Sequence, residues 1–255
     1  MTIRLSWAFT ALTIAGQILW VLVSGTTRDT FTVGGVVLFF LASLTHSLAT
    51  QPPGWTARFF AISLLFGWAI EAIGTGTGLP FGAYTYGDRL GADIGSVPWV
   101  IPLAWAMMAY PIYVVAARIS MGAFTRVLLA ATLLATWDLF LDPQMVSERH
   151  WWFADPTPAL PGVAGIPLSN FVGWIVAALI VMTIVELLAG PPAEPVPTTS
   201  PPVVLLTWVY LSNVLANAVF FGRPAVALIG GIAMGIPMAI VWAGLRRPEV
   251  REFAR

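Results

Sequence analysis

The chain has 255 residues, 58% hydrophobic and only 9% charged, with a formal net charge of zero. Soluble domains carry about 25% charged residues, so the composition points away from a soluble fold, and the neutral balance gives no electrostatic footprint for nucleic acid. Cysteine is absent, which removes disulfides, thiol nucleophiles and cysteine metal sites, and two histidines, His46 and His150, are too few for a His-rich di-iron centre.

A bilayer-spanning helix needs roughly 20 apolar residues, and eight runs of about that length are legible, though seven spans are also compatible with the pattern. Leu5–Val23 is the first. Arg4 precedes it and no small-residue cleavage site follows, so it reads as a retained helix and not a signal peptide. Its Gln17 reads as a packing contact. Thr32–Leu48 is the second, with His46 near its end as a satisfied or interfacial residue rather than a ligand. Arg58–Ile73 is the third, short, with Glu71 in its last turn. The stretch EAIGTGTGLPFGAYTYGDRLG follows from Glu71 to Gly91, and its glycines and proline oppose a regular helix.

Pro98–Ala117 is the fourth run. Pro98 suits a first helical turn, while Pro102 and Pro111 kink the interior unless neighbours satisfy the freed carbonyls. Phe124–Leu141 is the fifth and carries Asp138; Asp142 and Pro143 then mark its end. The polar stretch Trp137–Trp152 reads as the partner of Glu71–Gly91. Leu168–Leu188 is the sixth, opening beside Asn170 and Trp174. The Pro-rich linker Gly190–Pro202 reads as an extended connection. Val203–Phe221 is the seventh, with Asn213 and Asn217 on one face. Pro224–Leu245 is the eighth, its Gly231 and Gly235 suiting helix packing. A polar tail covers 246–255. The expected fold is therefore all-α, a single polytopic integral membrane bundle over 1–255.

With eight spans, eight arginines fall on the side of the N-terminus, including Arg4, Arg58, Arg118, Arg126, Arg246, Arg247, Arg251 and Arg255. Four fall opposite, namely Arg28, Arg89, Arg149 and Arg223. Both termini are then cytoplasmic. The long loops after helices three and five share the other face, and Glu71, Asp138, Asp142, Asn170, Asn213 and Asn217 gather near it.

Carboxylates inside a membrane are expensive, about 2.5–3.5 kcal/mol for Asp at a helix centre, and such residues usually pair or act. Asp138 and Asp142 are four apart and face one side of helix five. Asp142 either caps and tethers the loop or acts chemically; Glu71 and Asp138, each deeper, are the first candidates for chemistry. The GTGTG run at Gly74–Gly78 lacks the preceding strand of a dinucleotide loop. The Asp138–Asp142 spacing suits a magnesium site of a membrane prenyltransferase, but a second acidic motif is missing and few cations are at hand for a diphosphate. The tryptophans, among them Trp99, Trp105, Trp137, Trp151, Trp152 and Trp174, read first as an interfacial belt, a few of them as pocket lining.

The segments GTGLPFGAYTY, VPWVIPLAW, WDLFLDPQMV and IPLSNFVGW occur here in order, over roughly residues 66–188. In this the chain resembles a membrane carotenoid biosynthesis family whose characterised members include carotenoid 1,2-hydratases of the γ-carotene and bisanhydrobacterioruberin type. The resemblance implies a multi-pass protein of the cell membrane without redox cofactor. Its substrate would be an acyclic carotenoid, and water would add across the terminal C1–C2 double bond of a ψ-end group to give a tertiary alcohol. Other enzymes of that pathway are the implied partners, besides the lipid bilayer.

Such a hydration needs a proton on C2 while cationic charge develops at C1. The donor must stay protonated near neutral pH, and burial or a second carboxylate favours that in general. Glu71 and Asp138 are the expected acidic pair. Aromatic faces stabilise a cation, which gives roles to Tyr84, Tyr86, Trp105, Trp137 and Trp174 around the substrate. Asp142 or Asn170 would position the water. No cofactor or metal is expected. Two other classes stay open: a membrane prenyl-diphosphate transferase, and a non-catalytic carotenoid-binding or transport protein.

Overall fold

The computed structural model describes residues 2–120 and 122–246. Most of the polar tail, with Arg247, Arg251 and Arg255, lies outside the described residues. Eight helices make up the described chain: α1 (Thr2–Trp20), α2 (Gly25–Thr50), α3 (Pro53–Thr77), α4 (Val100–Ile119), α5 (Ala123–Ser147), α6 (Leu168–Leu188), α7 (Pro201–Val219) and α8 (Pro224–Leu245). Seven of them, α2 to α8, are long and apolar enough to cross a membrane. The fold is that of a polytopic helical membrane protein, as expected. Helix α1, interrupted by Arg4, Ser6, Gln17 and three threonines, is not among those seven.

Helix α4 is the hub. It touches α2, α3, α5, α7 and α8, and Tyr110, Ile112, Tyr113, Val114 and Val115 on it are fully buried. A helix apolar on every side belongs in the centre of a bundle. Pro111 lies within α4 and removes the donor that Met107 would otherwise receive. The hydroxyl of Ser43 on α2 donates to the Met107 carbonyl at 3.0 Å and replaces it, the compensation expected at a kinked membrane helix. Ser43→Ala will therefore lower stability by about 0.6–1.7 kcal/mol, the span measured for polar contacts between membrane helices. Thermal unfolding in detergent checks it; an unchanged midpoint would show that the carbonyl needs no partner.

Several boundaries differ from the sequence expectation, each for a physical reason. Helix α3 runs through Gly74 and Gly76 to Thr77, then closes on Gly78 at φ 76°, whose N–H bonds to the Gly74 carbonyl. Glycine in a packed helix costs only about 1 kcal/mol against alanine, so Glu71 sits well inside the helix and not in its last turn. Helix α5 continues past Pro143 to Ser147. Pro98 is not helical; it pairs with Asp93 in a small hairpin of β2 (Asp93–Ile94) and β3 (Val97–Pro98). Pro201 and Pro202 begin α7 rather than ending the linker, because proline's missing donor is harmless in a first turn. That linker is pinned by Gln51, which receives the Ala193 N–H at 2.8 Å and donates to the Glu194 carbonyl at 3.0 Å.

The two polar stretches do meet. Strand β1 (Tyr84–Tyr86) pairs antiparallel with β4 (Trp151–Phe153), with Tyr84 opposite Phe153 and Tyr86 opposite Trp151. This ribbon covers one end of the bundle. Two minor expectations hold as well: Gln17 receives the Trp208 indole N–H at 2.7 Å, and Gly231 and Gly235 lie against Val214 and Tyr210 of α7. His46 is buried and not interfacial, and is satisfied at one nitrogen: Nδ1 meets the Tyr110 hydroxyl at 2.7 Å while Nε2 has no hydrogen-bond partner.

Candidate active site

Helix α3 presents Gly67, Glu71 and Gly74 along one face, at intervals of four and three. The two glycines are cut-outs. A Cβ on Gly67 would come within 2.7 Å of Trp105, and one on Gly74 within 2.7 Å of the Tyr84 hydroxyl. Both rings can therefore close on the carboxylate between them. Trp105 donates its indole N–H to Glu71 Oε1 at 3.0 Å. Tyr86 donates to Oε2 at 2.7 Å, and Tyr84 donates to the same oxygen in a short bond. The two tyrosines are two apart on β1, so the period of a strand puts both hydroxyls on one side, while Thr85 between them is exposed. Burial, and then the Glu71 carboxylate, push both phenols well above the ordinary tyrosine range, so they remain donors.

The other two acids form a separate centre. Asp138 and Asp142, one turn apart on α5, both accept from the side-chain amide of Asn170 in the first turn of α6: Asp138 Oδ2 at 2.9 Å and Asp142 Oδ2 in a short bond. Trp151 of β4 donates to Asp142 Oδ1 at 3.1 Å. Asp138 is fully buried, and its Oδ1 has no hydrogen-bond partner. The polar partners of the three acids are thus hydroxyls, indoles and one amide, not arginines. The β1–β4 ribbon joins the two centres, since β1 supplies the donors for Glu71 and β4 the indole for Asp142.

A cavity of about 590 Å³ connects them. Glu71, Asp142 and Asn170 line one part of it, with Tyr84, Tyr86, Trp105, Trp137, Trp151 and Trp174 around them. Trp105 stacks flat on Trp174, centroids 4.5 Å apart and planes 5° apart, and Trp137 meets Trp174 edge-on at 6.1 Å. These rings are 2–6% exposed, so they are cavity walls and not an interfacial belt; of the six tryptophans named from the sequence, Trp99 and Trp152 are exposed.

All nine residues singled out from the sequence thus fall in one neighbourhood, but the pairing differs from expectation. Asp138 joins Asp142 and not Glu71, and it is Asp142 that shares the cavity with Glu71. Asn213 and Asn217 hydrogen-bond back to carbonyls of their own helix. The roles of Trp151, Gly67 and Gly74 were not foreseen; the seven-residue spacing of Gly67 and Gly74 about Glu71 was the available signal. Beside the site, His150 is fully buried and lies 3.6 Å from Asp29. Burial holds its imidazole below the ordinary range, so this contact is not a full ion pair at neutral pH. Among the described residues, no three His, Cys, Asp or Glu side chains converge as a metal-binding group.

A bundle of membrane-length helices that keeps three carboxylates beside an aromatic, otherwise apolar cavity defines a polytopic helical membrane protein with a largely buried cavity. The sequence matches the family of carotenoid biosynthesis proteins over residues 31–241, and the chain belongs to that family. The match extends on both sides of the segment, 66–188, that carries the recognisable motifs. Over 127 residues the chain is 29% identical to the bisanhydrobacterioruberin hydratase of Haloarcula japonica, an alignment covering 48% of this chain and 42% of that protein. The chain thus aligns with less than half the length of that relative. No solved structure matches.

Proposed function

We propose that this protein is a cofactor-independent hydratase that adds water across the terminal C1–C2 double bond of an acyclic carotenoid ψ-end group. The observation that carries the reading is the placement of two distinct carboxylate centres on one apolar, aromatic-walled cavity. The family membership and the hydratase relative support the same class of reaction.

The two centres suit two jobs. Asp138 and Asp142 share one amide donor away from any cation, and one oxygen of Asp138 accepts no hydrogen bond. An unpartnered buried oxygen is tolerable on a neutral acid and costly on an anion, so the pair holds one proton between its members. Asp142, which reaches the cavity, delivers it to C2. The alkene π bond breaks, a C–H bond forms at C2, and a tertiary cation develops at C1. The indole and phenol rings around the cavity stabilise that cation. Glu71, fixed by three donors, is the acceptor. Water adds its oxygen to C1 and gives a proton to Glu71, so that one water is consumed and the protein's proton count is restored when Glu71 passes its proton back to the aspartates.

We take α1 as a further crossing beside α2 to α8, in the cell membrane with both termini cytoplasmic, which sets the site end of the bundle on the outer side. Expression in a host that makes lycopene tests the reaction. The expected product is heavier by one water with an unchanged chromophore, and purified protein will form it in the presence of a chelator. Activity lost in chelator and restored by magnesium would favour a prenyl transfer instead, and stoichiometric pigment binding without turnover would favour a carrier.

A further inference from the structure

The cavity does not end at the acids. From the deep walls it continues between the end of α1 and the face of α7, and its lining there changes character. Ile18 on α1 and Leu211 and Leu215 on α7 line it and are 51%, 52% and 57% exposed, whereas Glu71 and Trp105 at the other end are 5% and 2% exposed. In a membrane-spanning bundle, exposed leucine and isoleucine within the helices face lipid acyl chains and not water. The cavity is therefore continuous with the bilayer on the side of α1 and α7.

The seam itself is lightly closed. Helix α1 packs chiefly on α2 and only marginally on α7, and the Gln17–Trp208 hydrogen bond is a polar tie between the two helices, with both residues lining the cavity. Helix α1 also precedes the segment matched to the family. One wall of the opening thus comes from an element outside that segment.

Building on the hydratase reading, we propose that the α1–α7 seam is a lateral portal. A long acyclic polyene enters it end-on from the bilayer and places its reacting end group at Glu71 and Asp142, while the rest of the chain stays between α1, α7 and lipid. About 590 Å³ lies within the range of about 300–1,000 Å³ in which drug-sized molecules are enclosed, which suits an end group with part of a polyene and leaves the remainder to project. A water-insoluble substrate also has no aqueous route to the site.

The test plugs the seam from either side. Ser212→Trp on α7 and Val21→Trp in the turn just after α1 both add bulk at cavity-lining positions of the mouth, and Val219→Trp, on exposed α7 surface outside the lining, is the control. Each is reconstituted in lipid nanodiscs and its folding checked by thermal unfolding. Uptake of lycopene is then followed by quenching of tryptophan fluorescence, which does not depend on turnover, beside hydration of lycopene and of a short terpene hydrocarbon with the same end group. At least one folded plug will slow lycopene uptake by an order of magnitude and will impair the short compound much less; Val219→Trp will behave as wild type. If folded plugs take up lycopene at the wild-type rate, the portal is elsewhere. Should the wild type bind lycopene without hydrating it, the reaction is wrong, and the quenching series still decides the portal.

Discussion

Asp142→Asn will lower the hydration rate by about 10²–10⁴-fold, the usual contribution of a positioned general acid, while the protein still inserts. The amide keeps the shape of the carboxyl, and its oxygen can still accept the Trp151 indole N–H at 3.1 Å, but it cannot donate a proton to carbon. Its NH2 then meets the Asn170 amide, whose hydrogen bond Asp142 Oδ2 accepts, so the melting temperature falls as well. Glu71→Gln will fall in the same range by removing the acceptor for the proton of water, although its amide still fills the space between Tyr84, Tyr86 and Trp105. Asp138→Asn is the informative third variant. Asp138 is not among the residues lining the cavity, so some activity survives. With its neighbour's charge gone, the alkaline limb of the pH–rate profile moves to lower pH. Product formation from lycopene across pH, with the amount of membrane-inserted protein measured in parallel, reads all three. Wild-type rates in both Asp142→Asn and Glu71→Gln would remove the mechanism; loss of all three variants from the membrane would make the acids structural.

Asn170→Ala will destabilise the protein by about 1.5–3 kcal/mol, the range for a hydrogen bond to a charged group, and will lose most of its activity. Its amide is the shared donor to Asp138 and Asp142, and without it two carboxyl groups face each other in a dry interior. Asn170 acts through the aspartates, so its signature differs from theirs. Turnover falls, KM for the polyene stays close to wild type, and the pH profile is displaced because the pair no longer shares one donor. The double variant Asn170→Ala with Asp138→Asn restores a donor amide next to Asp142 and recovers part of the stability. A denaturation midpoint and a pH profile for the single and double variants check this. Independent, additive losses would show that the three side chains do not work as a unit.

The sequence was most readable where apolar length and punctuation agree. The bounds of Leu168–Leu188 and Pro224–Leu245 coincide with the helices found, because segments rich in glycine and proline frame the first run and arginines, Arg223 and Arg246, bracket the second. It misled where a breaker sits inside a packed helix. Gly74, Gly76 and Pro143 read as ends, yet α3 and α5 run through them. In a bundle the neighbouring helices hold the backbone, and the local cost of such residues is outweighed by packing. Trp151 was read as one of many interfacial tryptophans. Only the register of β1 against β4, Tyr86 opposite Trp151, turns its indole toward Asp142.

What the sequence determined by itself was the class and the cast. Composition and run length specify a membrane bundle, because a chain this poor in charge has to satisfy its backbone in helices within lipid. The rarity of carboxylates in such runs singles out Glu71, Asp138 and Asp142, because each is expensive to place there. Tertiary structure decided the partnership. Asn170 reaches Asp138 across 32 residues and Trp105 reaches Glu71 across 34, separations to which no helical or strand period applies. Those contacts follow from the packing of α6 on α5 and of α4 on α3, and from how closely Gly67 and Gly74 let the rings approach. Only that packing separates an Asp138–Asp142 centre from Glu71 and gives Asp142, rather than Asp138, the place on the cavity wall.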